Sequence, residues 1–274
     1  MSVKKKEMPP VMILCGGKGT RLRDVTELLP KPMVSVGNHP ILWHIMRSYS
    51  AFGVKRFILC LGYKKEIFID YFLNFSAREN DVTIKLGQVP ELKFHGKKEE
   101  EDWEVTLADT GLESCTATRI RIASKYLKSS DKKFFLTYGD GVSDVNITKL
   151  LENHNDSGCA LTISAVHPEG RFGEIHFRKD NTIRFTEKPI RTGGFVNGGF
   201  MVVEKSVIRK YIPMDQDVYF ESEPFSRITA DCQMNAYRHE GFWQCMDTPR
   251  EHDLLNRLWD SGEAPWTTHW KDRT

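Results

Sequence analysis

Through the first two thirds of the chain, short apolar runs alternate with stretches of helical periodicity. Val11–Leu14 and Phe57–Leu61 are wholly apolar, and Phe134–Tyr138 and Ala160–Val166 nearly so. Runs this short, bounded by glycine or polar residues, predict buried strands. Ile41–Phe52 places Ile41, Ile45, Tyr49 and Phe52 on one helical face and stops at Gly53, predicting a helix with a glycine terminus. Ile67–Phe75, Ile120–Leu127 and Ile147–His154 predict further helices, and Val82–Leu86 and Val105–Leu107 further strands. Such alternation, with strands apolar on both faces, implies the α/β class: a mostly parallel, Rossmann-like central sheet with helices on both faces.

Beyond residue 170 the texture changes. Glu174–Phe177, Ile183–Thr186 and Phe200–Val203 alternate or run apolar with short turns between them, predicting a small antiparallel β addition to the core. Glu251–Trp259 predicts a last helix. No internal repeat, low-complexity tract or Gly/Ser linker divides the chain. Residues 11–274 are therefore expected to form one domain behind a flexible extension, residues 1–10.

Composition narrows the function classes. A chain of 274 residues with 40% hydrophobic and 28% charged positions has enough apolar material for a large core. A net charge of +2 supplies no global field for nucleic acid. Lys4-Lys5-Lys6 is too short a basic arm to change that. No signal peptide is visible and no apolar stretch approaches ~18 residues, so no membrane partner is expected. The six cysteines show no C-x-x-C spacing and no zinc-type cluster with histidine, and they point to a reducing cytoplasm. The nine histidines form no H-x-x-x-H pair, and the absence of G-x-S-x-G leaves serine-hydrolase chemistry without support.

The chemistry concentrates in Leu14-Cys15-Gly16-Gly17-Lys18-Gly19-Thr20-Arg21-Leu22, directly after the first strand, with Pro30-Lys31-Pro32-Met33 close behind. Glycines let backbone N–H groups approach phosphate oxygens, and Arg21 and Lys31 can neutralise moving phosphate charge. The spacing matches neither a Walker loop nor G-x-G-x-x-G, and an ordinary strand-to-helix turn is the alternative reading. Tyr138-Gly139-Asp140-Gly141 follows another buried strand, where a carboxylate can hold a divalent cation against phosphates or simply occupy a Gly-Asp-Gly turn. Asp247, just past the aromatic cluster Gly241-Phe242-Trp243-Gln244, has the position of an N-cap for a helix starting near Pro249; its pairing with Asp140 depends on the fold. Glu187-Lys188 at a strand end reads as a surface ion pair or as a contact to sugar hydroxyls and phosphate. Asn197-Gly198-Gly199 reads as a tight hairpin or a backbone approach to a polar ligand. Arg171-Phe172-Gly173 reads as a turn or an anion contact.

Taken in order, these segments resemble the sugar-phosphate nucleotidyltransferase family. The likeness rests on Gly-Gly-Lys-Gly-Thr-Arg-Leu, Pro-Lys-Pro-Met, Ile41 to Met46, Thr-Tyr-Gly-Asp-Gly, Gly170 to Gly173, Glu-Lys-Pro, Asn-Gly-Gly-Phe, Glu223-Pro224, and Gly-Phe-Trp-Gln with Met246-Asp247-Thr248. Trp103 to Gly111 is similar to the cytidylyltransferase branch. The resemblance implies the nucleotidyltransferase fold and a Mg²⁺-dependent reaction. In it a sugar 1-phosphate, glucose 1-phosphate first among the acceptors, attacks the α-phosphorus of CTP in line. It implies Leu14, Gly16, Gly17, Lys18, Gly19, Thr20, Thr106, Gly111 and Gly139 at the nucleotide, and Arg21, Lys31 and Asp140 as catalytic groups. Asp140 and Asp247 would hold Mg²⁺, and Arg171, Gly173, Glu187, Lys188, Asn197 and Gly198 would face the sugar phosphate. A homo-oligomer is implied as well. Cys15 and Cys245 stand where the family has Ala and Pro, and Leu86 to Asp102 is hard to match, which leaves another phosphate acceptor open. A non-catalytic nucleotide-sugar sensor is the reading from another class; retention of Arg21, Lys31, Asp140 and Asp247 argues against it.

Overall fold

The computed structural model describes residues 7–19, 28–96, 102–168, 174–177, 183–186 and 194–273, with 174–177, 183–186 and 271–273 described as backbone. In chain order the elements are β1 (Val11–Leu14), β2 (Ser35–Val36), β3 (His39–Pro40), α1 (Ile41–Ala51), β4 (Arg56–Leu61), α2 (Lys65–Leu73), α3 (Phe75–Glu79), β5 (Asp81–Lys85), β6 (Glu91–His95), β7 (Glu104–Asp109), α4 (Thr116–Ala123), β8 (Lys133–Tyr138) and β9 (Gly141–Ser143). There follow α5 (Ile147–Ser157), β10 (Leu161–Val166), β11 (Glu174–Phe177), β12 (Ile183–Thr186), β13 (Val196–Glu204), α6 (Ser206–Tyr211), α7 (Glu223–Ala230), β14 (Met234–Arg238), β15 (Trp243–Cys245), α8 (Pro249–Asp260) and a 3₁₀ segment, Pro265–Arg273.

Seven strands form one sheet in the order β14-β10-β13-β8-β1-β4-β7. β1 pairs in parallel with both β4 and β8, β4 with β7, and β10 with β14, while β13 runs antiparallel between β8 and β10. The apolar runs are central strands because both faces are covered. Val11, Ile13, Phe57, Leu59 and Phe135 pack on one side with α1, α5 and α8 residues such as Tyr49, Leu150 and Leu255. Met12, Ile58, Phe134 and Leu136 pack on the other with Ile120, Ile208 and Ile228 of α4, α6 and α7. Successive strand residues point to opposite faces, so each run feeds both layers. At ~25 cal/mol per Å² this two-sided burial is the main stabilising term.

Several expectations change in detail. Phe200–Val203 is not an appendage: it lies in β13, inside the main sheet, with Met201 opposite Leu136 and Val203 opposite both Phe134 and Leu161. Among the described residues only β11–β12, β5–β6, β9–β15 and β2–β3 form separate two-stranded antiparallel pairs. The helix expected over Ile67–Phe75 divides at Asn74, whose side-chain amide donates to the Asp70 carbonyl at 2.9 Å. The helix expected from Ile120 begins at Thr116 and passes into a 3₁₀ turn at Ser124–Tyr126. Val82–Leu86 contributes β5, but to a hairpin apart from the main sheet. Among the described residues no helix is long and apolar enough to cross a membrane.

From β1 the chain moves to β4 and β7 on one side, then returns to β8 on the other side of β1. That reversal opens a crevice beyond the carboxyl ends of β1 and β8, the place where open parallel sheets hold ligands.

Candidate active site

The glycine loop and the Gly-Asp-Gly turn leave the sheet side by side. Cys15 N donates to Cys60 O at 3.0 Å and Gly139 N to Leu14 O at 3.1 Å, extending the ladders one residue past each strand. A Cβ on Gly139 would lie 2.9 Å from Pro32 Cγ and 3.1 Å from Leu14 O, so only glycine lets the two segments approach. A Cβ on Gly16 would lie 2.1 Å from Arg119 Nη1. Arg119, on α4 and only 4% exposed, explains that crowding. Its Nη1 donates to Leu61 O (3.1 Å), Thr110 Oγ1 (2.9 Å) and Gly111 O (2.7 Å), and its Nη2 to Gly16 O and Leu112 O (both 3.1 Å). Burial pulls its pKa below the ordinary arginine value, but a guanidinium stays protonated. One buried cation thus ties the glycine loop to the loop after β7.

Between these loops lies a cavity of about 470 Å³ lined by Leu14, Gly16, Gly17, Lys18, Gly19, Lys31, Gly139, Asp140 and Asp247 among the expected residues. Lys18 reaches across its mouth to Glu113 at 2.6 Å, an exposed pair of small energetic weight. A second cavity of about 360 Å³ adjoins it, lined by Asn197, Gly198, Thr137 and Trp243, with Tyr138, Asp140 and Asp247 common to both. The Asn197-Gly198-Gly199 segment is not a hairpin turn but part of β13, and Trp243 Nε1 donates to Gly198 O at 2.7 Å.

Lys31 stands where the two cavities meet. Prolines on either side place it in a buried 3₁₀ turn, closed by Met33 N donating to Pro30 O at 2.7 Å. Its Nζ lies 2.7 Å from Asp140 Oδ2 and also donates to Asp247 Oδ1. Burial disfavours the ammonium, but the charges and hydrogen bonds of Asp140 and Asp247 outweigh it and hold the Lys31 pKa above its ordinary value. Local structure delivers both acids. β9 and β15 pair antiparallel with Gly141 opposite Cys245, and Met246 N donates to Asp140 O at 2.8 Å. Asp247 is not the helix cap expected from its position. Thr248 caps α8 in a capping box with Glu251, and Glu251 Oε2 accepts from Asp247 N at 2.7 Å. The cap therefore holds Asp247 and leaves its carboxylate in the crevice.

Two carboxylates converging on one cation make a donor set suited to Mg²⁺, which takes one or two protein carboxylates and completes its shell with phosphates and water. Among the described residues no group of three or more His, Cys, Asp or Glu side chains is arranged to hold a metal alone.

Other expected residues fall elsewhere. Thr106 lies mid-strand in β7 opposite Ile58 and lines neither cavity. Gly111 touches the site through its carbonyl on Arg119, while its neighbours Leu112 to Ser114 form the wall. Thr20, Arg21, Arg171, Gly173, Glu187 and Lys188 lie outside the described residues. Thr116, Arg119 and Tyr219 line the crevice without having been singled out. An arginine set among Ala117, Ile120 and Ala123, all buried, was the available signal for Arg119.

Comparison with known proteins agrees with this architecture. Residues 10–272 match the family model described as Nucleotidyl transferase. The chain is 42% identical over 258 residues to a glucose-1-phosphate cytidylyltransferase of Salmonella typhimurium, covering 94% of this chain and 98% of that one. It is 31% identical over 253 residues to a mannose-1-phosphate guanyltransferase of Candida albicans, covering 89% of this chain but 62% of that one. The crystal structure of HddC from Yersinia pseudotuberculosis superposes with a TM-score of 0.66 at 24% identity, over 92% of this chain and 100% of that one, a likeness of fold. With the glycine loop, the paired aspartates and the family match spanning nearly every residue, the chain belongs to the nucleotidyl transferase family.

Proposed function

We propose that this enzyme joins CTP to a sugar 1-phosphate, with α-D-glucose 1-phosphate as the acceptor, and releases pyrophosphate and a CDP-sugar. The observation that carries the reading is Lys31 held between Asp140 and Asp247 at the junction of two adjoining cavities. The larger cavity, floored by the glycine loop, takes the nucleotide; the smaller, against Asn197 and Gly198, takes the acceptor. Identity of 42% across nearly the full length of the Salmonella cytidylyltransferase supports CTP and glucose 1-phosphate over other pairs.

In the reaction an acceptor phosphate oxygen forms a bond to the α-phosphorus of CTP, and the bond from that phosphorus to the pyrophosphate oxygen breaks. No protein nucleophile is required. Asp140 and Asp247 would hold Mg²⁺, which would screen the charge of the triphosphate. Lys31 holds its proton throughout and presents a fixed positive charge at the meeting point of two anions. The loop amides from Gly16 to Gly19 face the phosphates, and Arg119 keeps that loop in place. Arg21 adds a second cation in this reading, and Thr20, Arg171, Gly173, Glu187 and Lys188 keep the ligand contacts that the family resemblance implies. Six free cysteines fit a reducing cytoplasm. Self-association also belongs to this reading, supported by the exposed apolar residues Ile84, Leu92 and Phe94 on the β5–β6 hairpin.

The test is pyrophosphate release in Mg²⁺, with CTP, UTP, dTTP and ATP crossed against a panel of sugar and non-sugar phosphates. Release confined to CTP with glucose 1-phosphate is the expected result, and Asp140→Asn should abolish it while leaving the circular dichroism spectrum unchanged. Release with CTP and another acceptor keeps the chemistry and replaces the sugar. Silence across the panel despite CTP binding favours a nucleotide-sugar sensor instead, and full activity of the Asp140→Asn enzyme removes the metal assignment.

A further inference from the structure

A line of hydrogen bonds crosses from one cavity to the other through residues that the mechanism above does not use. Thr116, at the start of α4 on the nucleotide side, donates its hydroxyl to Glu221 Oε2 at 2.8 Å. Glu221 Oε1 accepts from the Tyr138 hydroxyl. The Tyr138 ring itself lies against β13: a Cβ on Gly199 would come within 2.5 Å of Tyr138 Cδ2. Within that strand Asn197 Oδ1 accepts from Gly199 N at 3.0 Å. Both hydroxyls donate in one direction: Tyr138 to Glu221 and Thr116 to Glu221. The carboxylate is the common terminus because it accepts two hydroxyl protons and offers none.

The four groups come from four separate parts of the fold: α4, the segment before α7, the end of β8, and β13. The segment carrying Glu221 is itself fastened to the start of α4. Cys115 N donates to Asp217 Oδ1 at 2.8 Å, Ala117 N to Val218 O at 3.2 Å, and Phe220 N to Thr116 Oγ1 at 2.7 Å. The first two of those bonds satisfy N–H groups that the first turn of α4 would otherwise leave open. Glu221 therefore has a fixed base from which to hold Tyr138, the aromatic residue that lines both cavities.

We propose that Glu221 is a positioning residue for the acceptor: by gripping the Tyr138 hydroxyl it sets the Tyr138 ring as the partition between the cavities and as the wall against which Asn197 to Gly199, the segment facing the sugar phosphate, is held. The proposal rests on the assignment of the smaller cavity to the acceptor. Its physical content is pre-organisation. A segment packed against a fixed Tyr138 ring, with Asn197 Oδ1 accepting from Gly199 N, loses little freedom when the acceptor arrives. With the ring released, that segment must be ordered by the acceptor itself. The cost falls on acceptor binding, since the phosphates of the nucleotide meet Lys31 and the glycine loop on the other side of the ring.

The test is a double-mutant cycle on Tyr138→Phe, which keeps the ring and removes the hydroxyl, and Glu221→Ala. Wild-type turnover with CTP and the acceptor is measured first; its absence overturns the proposed substrates, not the hydrogen-bond line. Each single variant is expected to raise the acceptor KM about tenfold, with kcat and the KM for CTP moving less than twofold. The double variant should be no worse than either single one, because both cut the same line. Glu221→Gln, which keeps the length but replaces one acceptor oxygen by a donor, should recover only part of the loss. Multiplying effects in the double variant, or losses shared equally between acceptor, CTP and kcat, overturn the proposal. The same cycle read in urea unfolding needs no substrate. Additive stability changes there show that Tyr138 and Glu221 are not coupled and overturn it as well, even if turnover fails.

Discussion

Lys31 owes its place to two prolines and its charge state to two aspartates. Prolines fix the backbone so that a lysine, with a long and flexible side chain, arrives in the crevice already buried. Asp140 and Asp247 then outweigh the cost of that burial. A cation prepared in this way needs no reorganisation when phosphate charge moves past it, which is where electrostatic catalysis gains its advantage. Lys31→Ala is therefore expected to lower kcat/KM by roughly 10²–10³, about 3–4 kcal/mol of transition-state stabilisation. Steady-state kinetics on a variant with an unchanged circular dichroism spectrum measures this, and a loss below threefold would take Lys31 out of the mechanism.

At the scale of elements, α8 matters to the site through its first turn. Thr248 Oγ1 accepts from Glu251 N at 3.3 Å while Glu251 Oε2 accepts from Thr248 N at 2.9 Å and Asp247 N at 2.7 Å. The cap ends the chain's approach and fixes the residue before it, so the helix start and the acidic pair are one construction. Thr248→Ala is expected to cost about 1 kcal/mol of stability. Urea denaturation at neutral pH reads it, and an unchanged midpoint would show that the cap contributes nothing in this context. The β9–β15 ladder does the same for Asp140, since Gly141 and Cys245 are partners in register.

Across the whole molecule, the chain's last segment is anchored to its early part through His44. This residue of α1 is fully buried, and Trp43, Trp259, Trp266 and Trp270 all lie around its ring. Its Nε2 donates to Val36 O at 2.9 Å, and its Nδ1 accepts from Trp266 Nε1 at 3.3 Å. That arrangement suits only the neutral ring, because a second proton would face an N–H donor in an apolar enclosure. Burial accordingly pushes the pKa down from 6.5 to about 4. A histidine depressed in the folded state binds its proton more readily when unfolded. The stabilisation is thus complete above about pH 6.5 and is lost as pH falls towards 4, by up to about 3 kcal/mol. Unfolding free energies at pH 7 and pH 4.5 should show this slope in the wild type and a flatter one in His44→Gln. Equal slopes in the two proteins would mean that another group governs acid sensitivity.

The order of strands and helices, the glycine loop with its lysine partner, and the Gly-Asp-Gly turn were all legible in the amino-acid sequence. Each depends on neighbours within a few residues: periodicity reports burial, glycine reports backbone freedom, and proline reports a fixed turn. What the sequence left open was which distant pieces meet. Phe200–Val203 has the texture of an outlying strand, yet ladder pairing with β8 and β10 puts it at the heart of the sheet. Asp247 has the position of a helix cap, yet Thr248 takes that role and frees it to face Asp140. Thr106 lies in a matching segment but mid-strand, while Arg119, a cation set among apolar residues of its helix, gathers four carbonyls from both sides of the crevice. Local chemistry decides what an element is; strand order and register, set by packing over the whole chain, decide which side chains share a site.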